Sequence, residues 1–305
     1  MRSVPDRILT ATATDGSFSI VAGITSELVA QTQRRNALAP TASAAVGRLV
    51  TGAALLGASL KGREKLSLQI ASDGPLQRII ADVALNPSRT EKQSTEIGAR
   101  AYTRHPEVDL PLNAHGKFDV GGAVGRGYLQ VTRSFDVGQP YVGIVELQSG
   151  EIGDDLAAYL LTSQQIPSVV ALGVLANPLG IKAAGGIIAQ VLPGANDAAI
   201  ASLEERTHAM TPVTSQVDRG ATVEDLIASL AGPLEMRYTR EYRVAFTCTC
   251  SRERVERALL GLGRDELRKM SNEQPQTEAV CEFCKTAYLI SNDEVQTLIE
   301  RLGAR

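Results

Sequence analysis

The first 247 residues contain no cysteine, and all four cysteines of the 305-residue chain lie between positions 248 and 284. Tryptophan is absent and aromatics make up only 4%. A core built from this chain must therefore rest on Ala, Val, Ile and Leu. Neither sign of charge dominates, with 31 Lys+Arg against 34 Asp+Glu, so nothing global suggests a nucleic-acid partner. The opening "MRSVPDRILTATATDGSFSI" lacks the unbroken apolar stretch of a signal peptide. The most apolar run, 166–194, is interrupted by Asn177-Pro178, Lys182 and glycines. It reads as two buried strands joined by a turn and not as a bilayer span. These absences lead to the expectation of a soluble, cytoplasmic protein with reduced thiols. There, close cysteine pairs serve more often as metal ligands than as structural disulfides.

What is present suits one large domain plus a smaller one. Residues 7–24 alternate around "TDGS", a hairpin signal. "TSELVAQTQRR" reads as a helix with Thr25 as N-cap. The Ala-rich segment 41–61 reads as a long buried helix whose small residues admit close neighbours. Strands are expected around the Asp73-Gly74-Pro75 turn, a strand and an exposed loop over 84–121, two more strands over 125–147, and a helix in "GDDLAAYLLTSQQ". No βαβ alternation is visible, which predicts an α+β fold with a mainly antiparallel sheet and packed helices over 1–194. Residues 195–245 read as a linker of short helices that are marginal alone. One of them is capped by Thr222 with Asp225 and stopped by Gly232. Residues 246–305 read as a small C-terminal metal-binding domain, with a strand "EYRVAFTCTC", two short helices, a hairpin through "CEFC", and a last helix boxed by Ser291 and Glu294.

Cys248 and Cys250 form a C-x-C pair, and Cys281 and Cys284 a C-x-x-C pair. Zinc takes four thiolates in a closed tetrahedron that leaves no open catalytic position. The spacer between the pairs exceeds the ~15–20 residues of a common zinc ribbon. Arg252, Arg254, Arg257 and Lys285 lie close enough in sequence to offset the thiolate charge. CEFC alone could be a redox dithiol, but no βαβ pattern surrounds it. An extended Cys248-Thr249-Cys250 would hold its α-carbons ~6.6–7.2 Å apart, so a bridge there needs the backbone to bend. "GGAVGRG" (121–127) lacks a P-loop ending and the dinucleotide spacing, and reads as a loop or strand entry. His105, His115 and His208 are scattered and read as surface residues. No catalytic residue is predicted, and a non-enzymatic role is expected.

The segment "CTCSRERVERALLGLGRDEL…EAVCEFCKTAYLI" resembles the C-terminal zinc switch of the redox-regulated 33-kDa heat-shock chaperone family. "LLGASLKGREKLSLQIASDGPL", "LQVTRSF" and "AAGGIIAQVLPGA" resemble that family's N-terminal domain, so the likeness covers nearly the whole chain. Gln164 departs from the pattern, standing where the family usually has Glu. The resemblance implies an ATP-independent holdase with one zinc on Cys248, Cys250, Cys281 and Cys284. It implies inactivity when reduced and activation when oxidation forms Cys248–Cys250 and Cys281–Cys284 bridges and releases the zinc. It further implies dimers in the active state and unfolding client proteins as partners. The alternative is a structural-zinc module that binds nucleic acid or a fixed partner without redox switching.

Overall fold

The computed structural model describes residues 5–87, 95–177, 179–195 and 197–303. The chain divides into two compact units, Met1–Thr247 and Cys248–Arg305.

In the first unit, β1 (Arg7–Ala13) and β2 (Phe18–Ile24) form the expected hairpin. They are followed by α1 (Ser26–Asn36) and α2 (Pro40–Gly57). β3 (Lys65–Ser72) and β4 (Arg78–Pro87) flank the Asp73-Gly74-Pro75 turn, and β5 (Thr95–Thr103) pairs with β4. The stretch 88–94 of the expected strand-and-loop region lies outside the described residues. A short helix, α3 (Val120–Val124), precedes β6 (Gly127–Ser134), β7 (Tyr141–Glu146) and α4 (Gly153–Gln164). The apolar run resolves into β8 (Ser168–Asn177) and β9 (Gly180–Val191), with Pro178 outside the described residues. Then come α5 (Asp197–Ala209), α6 (Val213–Asp218), α7 (Val223–Ala231) and β10 (Met236–Phe246).

The ten strands make one sheet in the order β7-β6-β3-β4-β5-β10-β1-β2-β9-β8. Every pairing is antiparallel except β10 with β5. The α+β, mainly antiparallel class read from the sequence is therefore the observed one. The sheet curls around α2, which packs on β2, β3, β4, β5, β8 and β9. Fifteen of its 18 residues are buried, as expected of a helix apolar on all sides. Its small residues are what permit this: a Cβ on Gly52 would lie 2.5 Å from Leu156 Cδ1. Helix α4 packs on both edge strands, β7 and β8. Among the described residues no helix is long and apolar enough to cross a membrane.

Two layers cover the two sides of the sheet. The inner side carries the main core, including Ile8, Leu49, Leu68, Ile79, Ile97 and Leu129. On the outer side, Leu9, Phe18, Ile20, Ile24 and Ile187 of β1, β2 and β9 pack under Leu203, Val213, Leu226, Ile227 and Leu230 of α5–α7. Residues 195–245 are thus helical only as far as Ala231. The rest of that segment, Met236 onwards, is a strand inside the sheet, because Tyr242 and Val244 face the main core.

The Thr25 expectation fails in its chemistry. Thr25 sits at the N-cap of α1, but its hydroxyl lies 2.7 Å from that of buried Thr51 and makes no cap. Asp6 takes over from outside the helix, its carboxylate accepting from the amides of Glu27 (3.1 Å) and Leu28 (2.7 Å). Burial pushes the Asp6 carboxyl up to about 6 from 3.8, despite the lowering effect of those amides. The folded state therefore favours the protonated form. That stability is fully present below the unfolded value and is lost as pH rises through about 6. Thermal melts should show wild type losing stability relative to Asp6→Asn between about pH 4 and pH 7. A wild type that instead gains stability over that range would mean that the amides, not burial, govern Asp6.

Candidate metal centre

The second unit contains α8 (Arg252–Leu260), α9 (Arg264–Glu273), a hairpin of β11 (Gln276–Val280) and β12 (Ala287–Ser291), and α10 (Asn292–Gly303). Its core is small: Leu259, Leu267, Ile290, Val295, Leu298 and Ile299. Cys248 and Cys250 lie on the irregular segment between β10 and α8, which Ser251 starts by capping the Arg254 amide. The expected strand therefore ends at Phe246, before the first cysteine. Cys281 and Cys284 sit in the β11–β12 turn, as expected. The Cys281 amide donates to Thr286 O (3.0 Å) and the Lys285 amide to Cys281 O (2.8 Å), with Lys285 left-handed at φ 58°.

The hairpin turn and the segment ahead of α8 bring all four sulfurs within 4.8 Å of one another. Cys248 Sγ is 3.7 Å from Cys281 Sγ, and Cys250 Sγ is 3.4 Å from Cys284 Sγ. A tetrahedron with metal–sulfur bonds of about 2.3 Å has edges of roughly 3.8 Å. The donor set thus fits a four-thiolate ion, and soft thiolates select thiophilic metals over calcium or magnesium. Among the described residues no disulfide is present. Cys284 is buried and the other three are half-buried.

Four thiols this close cannot all ionise easily without a cation, and their environments differ. Burial pushes Cys250 up to about 12, against the lowering effect of the Tyr288 hydroxyl, which donates to its sulfur at 3.1 Å. Burial likewise raises Cys281. Burial also disfavours the Cys284 thiolate, but Thr286 and the neighbouring thiols outweigh it and bring Cys284 down to about 6. Thr286 Oγ1 lies 3.2 Å from Cys284 Sγ. Cys284 is therefore the thiol poised to ionise first.

The basic residues expected to offset the thiolates do other work. Arg252 binds Glu294, Arg254 reaches Thr249 Oγ1 (2.6 Å), Arg257 donates to Glu253 O (3.3 Å), and Lys285 pairs with Glu282 (2.7 Å). The sulfurs are served by hydroxyls, Tyr288 and Thr286, which the charge-based reading missed. Their closeness to Cys284 in sequence was the available signal. The other candidates stay apart from the cluster. In "GGAVGRG" the Gly121 and Gly122 amides donate to Glu151 (3.2 Å) and Asp119 (2.9 Å). His105 pairs with Glu107 (3.1 Å), while His115 and His208 are exposed. Gln164 donates to Tyr159 OH (3.1 Å), a contact that needs no carboxylate.

Residues 6–291 match the family described as Hsp33 protein. The chain belongs to the Hsp33 family. It is 39% identical to a 33 kDa chaperonin of Desulforamulus reducens over 97% of this chain and 98% of the relative. It is 40% identical to the 33 kDa chaperonin of Bacillus licheniformis over 97% of this chain and 100% of the relative. The crystal structure of the Thermotoga maritima 33 kDa chaperonin (heat shock protein 33 homolog) is similar with a TM-score of 0.88 and 32% identity, covering 99% of this chain and 100% of that one.

Cobalt(II) added to the reduced protein should give the intense sulfur-to-metal absorption of a tetrahedral thiolate site. Cys281→Ser and Cys284→Ser should abolish that spectrum. An octahedral, weakly absorbing spectrum would overturn the four-thiolate assignment.

Proposed function

We propose that this Hsp33-family protein is a redox-regulated, ATP-independent holdase of the cytoplasm. Residues 1–194, completed by β10, are its core, the helical part of 195–245 (α5–α7) its cover and 246–305 its switch. The observation that carries the reading is the apolar outer face of β1, β2 and β9 beneath α5–α7. A chaperone needs apolar surface for unfolding clients. This chain has a coherent one, covered by helices of 13, 6 and 9 residues that are too short to be stable alone.

Cys248, Cys250, Cys281 and Cys284 are the proposed zinc ligands and redox-active thiols. Zinc, when bound, would supply about 10–16 kcal/mol of apparent binding free energy that is also folding energy. In the proposed switching step, each cysteine pair loses two electrons to hydrogen peroxide, which takes up two protons, from the thiols where they are protonated and otherwise from solvent, and is reduced to two waters as the S–S bond forms. The proposed bridges are Cys248–Cys250 and Cys281–Cys284, the pairing that the family likeness implies. Thiols held in S–S bonds no longer offer the thiolates a metal requires. The second unit, with its six-residue buried core, would then unfold. The cover would loosen and the outer face would become available to clients. Association of two active copies is part of the same reading.

Metal content and suppression of client aggregation, measured before and after peroxide at raised temperature, test this directly. Expected is zinc in the reduced protein with no suppression, and zinc loss with suppression after oxidation. Retained zinc together with RNA binding would favour a structural-zinc module instead. Peptide mapping of the oxidised chain should find Cys248–Cys250 and Cys281–Cys284, and a majority of links between the two pairs would overturn that assignment.

Leu226 and Leu230 are fully buried in α7, each contributing about 1.5–3 kcal/mol of docking. Leu226→Asp with Leu230→Asp in the reduced, metal-loaded protein should suppress aggregation without oxidant. A folded but inactive double variant would mean that α7 itself holds clients and does not merely cover them.

A further inference from the structure

The chain leaves the sheet of the first unit at Phe246 and Thr247, immediately before Cys248. Groups from α1, β4 and β5 meet these two residues. On the inner side, Phe246 packs against the main core. The Arg35 guanidinium, in the last turn of α1, lies over its ring, 4.7 Å from the centroid. That is within the ~6 Å reach of a cation–π contact. On the outer side, Asn86 Nδ2 of β4 donates to Thr247 Oγ1 at 3.3 Å. β4 and β10 are not neighbours, because β5 runs between them. Gly98 of β5 makes the reach possible. Ile97 and Ala99 face the main core, so Gly98 faces outward beneath the Asn86–Thr247 bond. A Cβ there would lie 2.3 Å from Asn86 Nδ2 and 2.9 Å from Thr247 Cβ. The Thr247 amide adds a bond to Ala99 O at 3.0 Å. The end of β10 is thus gripped from both faces of the sheet.

We propose that Arg35 and Asn86 form a two-sided clamp on Phe246 and Thr247, and that this clamp sets how readily loss of order at Cys248 enters β10. The proposal rests on the switch reading given above and adds to it a restraint that the cysteines do not supply. The pairing of β10 with β5 spans only Tyr242–Phe246 and is parallel, the weaker kind per residue. Strand ends held by few contacts open most easily. Two side-chain contacts on the last two residues therefore weigh heavily on local opening there. Together they shift it on the order of tenfold.

Hydrogen exchange on the full-length, reduced protein tests the clamp, first loaded with zinc and then stripped by a chelator. In the loaded protein, Arg35→Ala with Asn86→Ala should speed exchange over 242–247 on the order of tenfold and leave 65–72 of β3 unchanged. An unchanged rate over 242–247 overturns the clamp. Double-mutant cycles separate the two contacts from general weakening. Arg35→Ala should add nothing once Phe246→Leu has removed the ring. Asn86→Ala should add nothing once Thr247→Val has removed the acceptor. An additive effect in either cycle overturns that side of the clamp. Stripping the zinc separates this inference from the reading it rests on. If 248–305 then loses protection, and the Arg35→Ala, Asn86→Ala protein carries the loss further into 242–247 than wild type does, both are supported. If 248–305 loses protection and the two proteins match over 242–247, the clamp is overturned and the switch reading stands. If 248–305 keeps its protection while the double variant still opens 242–247, the clamp stands and the switch reading is overturned.

Discussion

The structure depends on one constraint: a single sheet has apolar side chains on both sides of β1, β2 and β9, and each side must be covered. The inner side is covered permanently, because α2 is threaded through the curl of the sheet and Gly52 lets Leu156 close on it. The outer side is covered by helices that arrive later in the chain and are too short to stand alone. Half of the outer surface needs no cover. β3, β4 and β6 present Ser67, Gln69, Asp82, Gln130 and Thr132 there, and Arg100 of β5 closes on Asp82 at 2.8 Å. The boundary between the polar and apolar halves falls at β10 and β1. There Arg7 binds Glu224 of α7 at 2.5 Å and Glu241 of β10 at 3.2 Å. Ion pairs this exposed contribute little energy, so they set the position of α7 while its buried leucines hold it.

The second unit has the opposite problem. Its six buried apolar residues are few for a fold of its length. Polar contacts such as Arg252 with Glu294 and Asn292 Nδ2 with Ser271 O at 3.1 Å tie its helices to one another. A four-thiolate ion would join the segment before α8 to the β11–β12 turn and supply cohesion that the apolar core lacks. On the proposed function, thiol chemistry would therefore control the fold of this unit, whereas the first one has a core that needs no such tie.

Much of this was legible in the sequence. Alternation pointed to the β1–β2 hairpin, an apolar run broken near Asn177 to β8 and β9, the Ala-rich run to α2, and the cysteine spacing to the cluster, because each of these signals is local. What was not legible depends on tertiary partners. Thr25 has the right residue type for a cap, but its buried neighbour Thr51 claims its hydroxyl, and Asp6 arrives from 21 and 22 residues away to cap the Glu27 and Leu28 amides. The arginines after Cys250 pointed to charge compensation, yet nearby carboxylates take Arg252 and Lys285 and leave the sulfurs to Tyr288 and Thr286. The strand read from Glu241 onwards caught only the second half of β10; the first half was assigned to the helical linker because Arg237 to Glu241 are exposed and mostly polar, and the strand's place in the sheet shows only in Tyr242 and Val244.

The place of β10 also limits how a signal could travel. It lies in the chain between the cover and the first cysteine, and it is bonded on both sides, to β1 and to β5. A slack tether could not pull α7 off, because β10 would absorb the pull. The two pairings are unequal, however. β1 holds β10 from Met236 to Arg243, whereas β5 holds only Tyr242–Phe246, the five residues nearest Cys248. On the proposed function, loosening of the second unit would first fray this short parallel pairing and the Thr247 amide bond to Ala99 O. Parallel pairing is somewhat weaker per residue than antiparallel. Fraying would then reach Glu241 and its 3.2 Å ion pair with Arg7, the residue that also binds Glu224 of α7. On that reading the chain passes through an element that is paired on both sides and held more briefly at its Cys248 end, so small losses of order there would reach the cover without dismantling the sheet.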